Sequence, residues 1–170
     1  MTRTPPPDPT AVRISSPAQH RALAHPLRHR VLLALGRQPA TISQLAVILD
    51  SGKGTIAYHL RVLRDAGLVR VAELKQVRGG TEVYYRRTAP IQVDAYDPAG
   101  TQALLHAVSE EMTASPRDPL VLLRSVRLTD AQAEQLSATL TALVAEVADG
   151  EPEAPRHTLM ITMYQADPAG

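Results

Sequence analysis

Residues 52–66 read Gly-Lys-Gly-Thr-Ile-Ala-Tyr-His-Leu-Arg-Val-Leu-Arg-Asp-Ala, and their spacing separates two kinds of chemistry. Ile56, Leu60 and Leu63 recur at i, i+4 and i+7, so a helix here must turn them toward a core. At about 100° per residue, Gly54, Ala57, Tyr58 and Arg61 then fall on the opposite flank. That flank is small, polar and cationic. Gly54 and Ala57 permit close approach, while Tyr58 and Arg61 can reach base edges or phosphate in a major groove. Lys53 and Thr55 sit at the N-terminal end, where free amides and the positive end of the helix dipole favour phosphate. Further on, Arg78 beside Gly79-Gly80 suits a narrow minor groove, with Arg86 and Arg87 close behind.

Other chemistries fall away. The chain of 170 residues has no cysteine, so a disulfide framework, a thiolate metal site and a cysteine nucleophile are excluded. With no Phe or Trp and five Tyr, broad aromatic platforms for single-stranded bases are not expected. Gly52-Lys53-Gly54-Thr55 looks like part of a phosphate loop but lacks the upstream glycine, and no context marks a Ser nucleophile. The chain does not read as an enzyme. His106 and Glu110, four residues apart, are the weak alternative for a metal pair. His25 and His29 share that spacing but are separated by Pro26, and His59 lies at the edge of the apolar stripe. A metal needs several convergent groups, so capping or packing is the expected role of these histidines and no cofactor is expected. The N-terminal MTRTPPPDPT lacks the apolar segment of a signal peptide, and no run suffices to span a bilayer. The expected location is cytoplasmic, associated with the nucleoid, with no membrane partner.

The formal net charge of +1 hides a division. From Arg13 to Arg87, 13 basic residues face four acidic ones, a net +9; from Thr88 onward four basic residues face 12 acidic ones, a net −8. The first half suits a polyanion and the second another task.

The elements that must position these residues follow from capping and periodicity. Residues 1–15 are Pro-rich and aperiodic and read as a disordered leader. Ser16-Pro17-Ala18-Gln19, Thr41-Ile42-Ser43-Gln44 and Thr129-Asp130-Ala131-Gln132 are capping boxes that open helices. The first helical stretch is interrupted at His25-Pro26 and is expected to stop at Gly36. A helix over Ile42–Leu49 and another over Gly54–Ala66, joined by Asp50-Ser51-Gly52-Lys53, make a helix-turn-helix. Leu68–Val77 and Thr81–Arg87 make a hairpin wing. Asp97-Pro98 opens a further helix to about Thr113, with Leu104, Leu105, Val108 and Met112 at helical spacing. A strand over about Leu120–Leu128, a helix over Asp130–Ala148 and a strand over His157–Tyr164 complete the chain. Leu159, Met160, Met163 and Tyr164 are expected to line an adaptable effector pocket there.

The runs Ala22-Leu23-Ala24-His25-Pro26-Leu27-Arg28, Ile42-Ser43-Gln44-Leu45-Ala46, Gly54-Thr55-Ile56-Ala57-Tyr58-His59-Leu60-Arg61-Val62-Leu63 and Ala66-Gly67-Leu68-Val69 closely resemble the arsenic-repressor-like (ArsR) group of bacterial winged-helix regulators. The resemblance covers about residues 17–90. It implies a homodimer on a two-fold symmetric operator, with Thr55, Ala57, Tyr58 and Arg61 on the reading helix; it does not imply a metal.

The expected fold is mainly α with small β. Residues 1–15 form the leader, 16–90 a winged helix-turn-helix, and 91–170 a helix and strand-helix-strand region for dimerisation or effector binding. The expected function is sequence-specific, DNA-binding transcriptional regulation by a homodimeric repressor on an inverted repeat. A small molecule or protein would act through the C-terminal region. The expected DNA contacts are Lys53, Gly54, Thr55, Ala57, Tyr58, Arg61, Arg78 and Arg86. The alternative is a winged-helix protein-interaction module without specific DNA binding.

Overall fold

The structure is a computed structural model that describes residues 12–89, 91–93, 97–148, 150–151 and 153–165. It divides into a unit of residues 10–121 and a unit that includes residues 122–170. The first contains β1 (Val12–Ile14), α1 (Pro17–Leu23), α2 (Pro26–Arg37), α3 (Ile42–Ile48), α4 (Lys53–Asp65), β2 (Val69–Val77), β3 (Gly80–Arg87), β4 (Ile91–Val93) and α5 (Pro98–Thr113). The second contains α6 (Asp130–Glu146).

Local chemistry opens these helices. Ser16 Oγ accepts from the Gln19 amide at 3.2 Å while Gln19 Oε1 accepts from the Ser16 amide at 3.1 Å. Thr41 and Gln44 repeat the reciprocal pair at the start of α3, and Thr129 and Gln132 at the start of α6. Each box satisfies two amides that the first turn leaves without helical partners. At α2 the cap is a histidine: His25 Nδ1 accepts from the Leu27 amide at 3.2 Å, and Pro26 supplies a preset φ at the first helical position.

The core gathers one flank from each of the first four helices and the start of the wing. Leu23, Val31, Leu32, Leu35, Leu45, Leu49, Ile56, Leu60, Leu63, Leu68 and Val69 are all buried. In the wing, β2 and β3 pair antiparallel from Val77 opposite Gly80 down to Val69 opposite Arg87, with an irregularity between Val71 and Glu73. Gly79 at φ +106° and Gly80 at φ +154° make the turn, a conformation that side chains disfavour. Ala40, between α2 and α3, exchanges two backbone hydrogen bonds with Tyr85, at 3.0 and 2.9 Å, which ties the wing to the helices.

Three expectations change. The supposed leader is ordered from Val12: β1 lies parallel to β4, Val12 opposite Ile91, and Ile14 is completely buried in the core. The pairing joins segments far apart in sequence, so no local pattern signals it; residues 1–11 lie outside the described residues. Gly36 does not stop α2, which continues to Arg37. Its missing side chain instead makes room for the Arg87 guanidinium, whose Cζ would lie 3.1 Å from a Cβ at that position. The third change is that the expected strands over 120–128 and 157–164 are absent: both segments carry no strand structure and expose their apolar side chains. A strand needs a neighbour to pair its amides and carbonyls, and residues 120–128 and 159–164 find none among the described residues.

The compact unit also extends beyond the expected boundary at residue 90, because α5 packs on α1 and α2. Ala103, Ala107 and Val108 are buried, Arg30 Nε lies 3.4 Å from Glu110 Oε2, and Arg37 pairs with Glu111. The small residues face inward, whereas Leu105 and Met112 remain exposed. Among the described residues no helix is long and apolar enough to cross a membrane.

Ile14→Ala should lower stability by about 3 kcal/mol, as expected for a large-to-small change at a sealed site. Urea denaturation followed by circular dichroism checks this, and a loss below about 0.5 kcal/mol would show that β1 is not part of the core.

Candidate nucleic-acid interface

The orientation of α4 is set by its apolar flank. Ile56 and Leu63 are fully buried and Leu60 nearly so, which leaves Gly54, Thr55, Tyr58 and Arg61 exposed and Ala57 half-buried. Tyr58 is 54% exposed, and the Arg61 guanidinium carbon sits 5.7 Å from its ring centre. The two side chains therefore extend outward together as a stacked pair. At the N-terminus, Gly52 supplies no side-chain cap and the first turn holds no acid, so Lys53 stands at an uncompensated positive helix end.

Both ends of the helix-turn-helix are closed by the same device. After α3, the Ser51 amide donates to Ala46 O at 2.9 Å and the Asp50 amide to Val47 O at 3.3 Å; after α4, the Leu68 amide donates to Leu63 O and the Gly67 amide to Arg64 O, both at 2.9 Å. This is the Schellman arrangement, which needs a left-handed residue in the middle. Gly67 adopts φ +74° without strain, but the earlier position is Asp50 at φ +47°, where a side chain costs energy. The turn that sets how α4 leaves α3 is thus held by its surroundings as well as by its own preference.

The wing adds a second cationic edge. Arg78 is exposed at its tip and Arg86 near its base. Reading the hairpin outward from its turn would pair Arg70 with Arg87, but the irregularity at Ala72 shifts the lower ladder by one residue. Arg70 consequently stands opposite Arg86, both exposed. Two like charges directly across a ladder repel each other unless an anion lies between them.

Against known families, residues 23–72 match a model described as "Helix-turn-helix domain". An uncharacterized HTH-type transcriptional regulator of Methanocaldococcus jannaschii is 42% identical over 48 residues, which are 28% of this chain and 50% of that protein. The chain thus spans about half the length of the curated relative it matches. Among solved structures, it is similar to the transcriptional repressor BigR from Xylella fastidiosa, with 21% identity, 58% of this chain and 84% of that one covered, and a TM-score of 0.35. It is also similar to the homodimeric winged helix-turn-helix DNA-binding domain of a Mycobacterium bovis protein described as a possible ArsR-family regulator. There the identity is 19%, 59% of this chain and 82% of that one are covered, and the TM-score is 0.34.

The N-terminal unit contains two cations that sequence reasoning missed. Arg70 becomes visible only once the wing register is known. Arg28, on the first turn of α2, lies near enough to Tyr58 for the phenol to favour its charge, while burial pulls its guanidinium below the usual value and leaves its Nε without a partner. The other expected sites are not assembled. Leu159, Met160, Met163 and Tyr164 lie on a segment without helix or strand, at 61%, 41%, 44% and 79% exposure. His106 Nε2 and Glu110 Oε1 are 3.9 Å apart on the surface of α5, and among the described residues no group of three or more His, Asp or Glu could hold a metal.

Behind the outward face of α4 lies a buried imidazole. His59 is 6% exposed, its ring centre is 4.6 Å from that of His25, and its Nδ1 has no hydrogen-bond partner. Burial, then His25 and Arg28, hold its pKa below the usual value; burial and Arg28 lower that of His25. His29 is also lowered, chiefly by burial, although its Nε2 donates to Leu23 O at 2.7 Å. These rings stay neutral in the folded state below the ordinary imidazole pKa of 6.5, where the unfolded chain takes up protons. Stability is therefore full above that pH and declines as pH falls below it through the lower folded values.

The thermal midpoint should accordingly drop between about pH 7 and pH 5. His59→Leu should flatten that dependence and, by removing an unsatisfied polar atom, raise stability at neutral pH by up to about 1 kcal/mol. Differential scanning calorimetry across this range checks both, and an unchanged slope in the variant would acquit His59.

Proposed function

We propose that this chain is a transcriptional regulator that binds double-stranded DNA sequence-specifically as a homodimer. The observation that carries the reading is the division of α4: a sealed aliphatic flank fixes the helix while Gly54, Thr55, Tyr58 and Arg61 are exposed, as are Arg70, Arg78 and Arg86 on the wing. In this reading α4 enters the major groove. Tyr58 and Arg61 meet base edges, Lys53 and Thr55 hold phosphate at the helix N-terminus, and Ala57 and Gly54 allow the backbone to approach. Arg78 reaches the minor groove at the wing tip, and Arg70 with Arg86 straddles a phosphate that relieves their repulsion.

Two reading helices about 34–36 Å apart would match half-sites one helical turn apart, giving an inverted repeat. The exposed Leu105 and Met112 on α5 suit contact with a second copy. Repression follows from occupying an operator that overlaps a promoter, and the C-terminal unit is where a small molecule or protein would modulate binding. A protein-interaction module has no use for an outward face and a wing both lined with arginine, which disfavours that alternative.

Fluorescence anisotropy on duplexes from a randomised selection tests the reading. Arg61→Ala should cost about 1–3 kcal/mol on the selected site and relax its base preference. Arg86→Ala should weaken binding to all duplexes alike and lower the slope of log affinity against log salt by about 1. Failure of the native chain to discriminate among duplexes at about 150 mM salt would overturn specific recognition.

A further inference from the structure

Among the described residues that follow Val121, none is buried. No residue of α6 is buried, and Leu136, Leu143, Val144 and Val147 are 39–59% exposed. On the flanking extended segments Leu122, Leu123, Val126, Leu128, Leu159, Met160, Ile161, Met163 and Tyr164 are 41–90% exposed. At about 60–120 Å² per apolar side chain, these 13 residues leave on the order of 1,000 Å² of apolar surface open to water. That exceeds the few hundred Å² a monomer usually tolerates and matches the roughly 800 Å² each partner contributes to a stable interface.

The backbone is equally incomplete. Residues 118–128 and 159–165 make no hydrogen bond to another described residue, although their sequences are rich in strand-forming side chains. On the second segment Leu159, Ile161 and Met163 alternate with Met160, Thr162 and Tyr164, the period of a strand with two distinct faces. The charges are self-complementary. Residues 122–129 and 155–165 contain Arg124, Arg127 and Arg156 and no acid, while α6 contains Asp130, Glu134 and Glu146 and no base.

We propose that this unit is completed by a second copy of the chain: the segments 122–128 and 159–164 pair across the two-fold axis into an intermolecular sheet, with the two α6 helices packed on it. A symmetric partner presents the same unpaired edges and apolar faces, and its α6 acids can meet the arginines of the facing segments. The inference rests on the homodimer reading above and assigns it a second, larger interface than the exposed residues of α5. It also explains why the expected strands are missing from a single chain.

The test uses the full-length protein. Sedimentation equilibrium over about 1–100 µM should show a dimer, and Leu123→Asp with Ile161→Asp should weaken it about 100-fold. The circular dichroism and main thermal transition of residues 10–121 should be retained, as should binding to a single half-site duplex. In the native dimer, hydrogen exchange should show protected amides over 122–128 and 159–164. A native chain that stays monomeric at about 100 µM overturns the proposal in favour of an unlike partner. An unaltered dimer constant in the variant, or exchange of these amides within seconds in a native dimer, overturns it as well. A monomeric native chain overturns the homodimer reading as well, whereas an unaltered dimer constant in the variant or rapid exchange in a native dimer overturns this inference alone.

Discussion

Three aliphatic side chains on one flank of α4 constrain the rest of the N-terminal unit. Ile56, Leu60 and Leu63 reach the core through positions three and four residues apart, and their burial fixes the rotation of the helix. Turning α4 by one residue would carry Arg61 toward the interior, where an unpaired guanidinium costs several kcal/mol, and would bring aliphatic groups out to water. The outward face therefore follows from hydrophobic burial on the inward one. Its ends follow from the Schellman turns, where Gly67 is relaxed and Asp50 is held at positive φ.

The wing extends this arrangement without a core of its own. It is anchored at its base by the exchange between Ala40 and Tyr85 and by Arg87, whose guanidinium is desolvated against Gly36. Toward the tip the hairpin is largely exposed and held by its ladder, by Lys75 over the Tyr84 ring at 4.9 Å, and by Tyr84 donating to Glu82. A hairpin anchored at one end can adjust its tip to a duplex while its base stays in register with the helices. The like-charged pair of Arg70 and Arg86 sits at that anchored base, where repulsion cannot be relieved by moving the side chains far apart.

The acidic half divides between two tasks. Glu110 and Glu111 meet Arg30 and Arg37 and hold α5 against α2, so part of the negative charge is used inside the N-terminal unit. Asp97 caps α5, and the seven acids from Asp130 to Asp167 fall in the unit that follows Val121, where no residue of α6 is buried.

How much was legible in the residues depends on the range of the interactions involved. The capping boxes at Ser16, Thr41 and Thr129, the break at His25-Pro26, the wing turn at Gly79-Gly80 and the two flanks of α4 all arise within a few positions, and the amino-acid sequence alone determined them. The parallel pairing of Val12–Ile14 with Ile91–Val93, the use of Gly36 as space for Arg87, and the approach of Arg28 to Tyr58 depend on segments brought together by folding. The one-residue shift at Ala72 changed Arg70 from a partner of Arg87 to a partner of Arg86, which no alternation in the strands announces. Leu122–Leu128 and His157–Tyr164 have the composition of strands, but a strand exists only through hydrogen bonds to another strand. Among the described residues those bonds are unmade over 122–128 and 159–164, since propensity is a local property of residues and pairing is a property of neighbours.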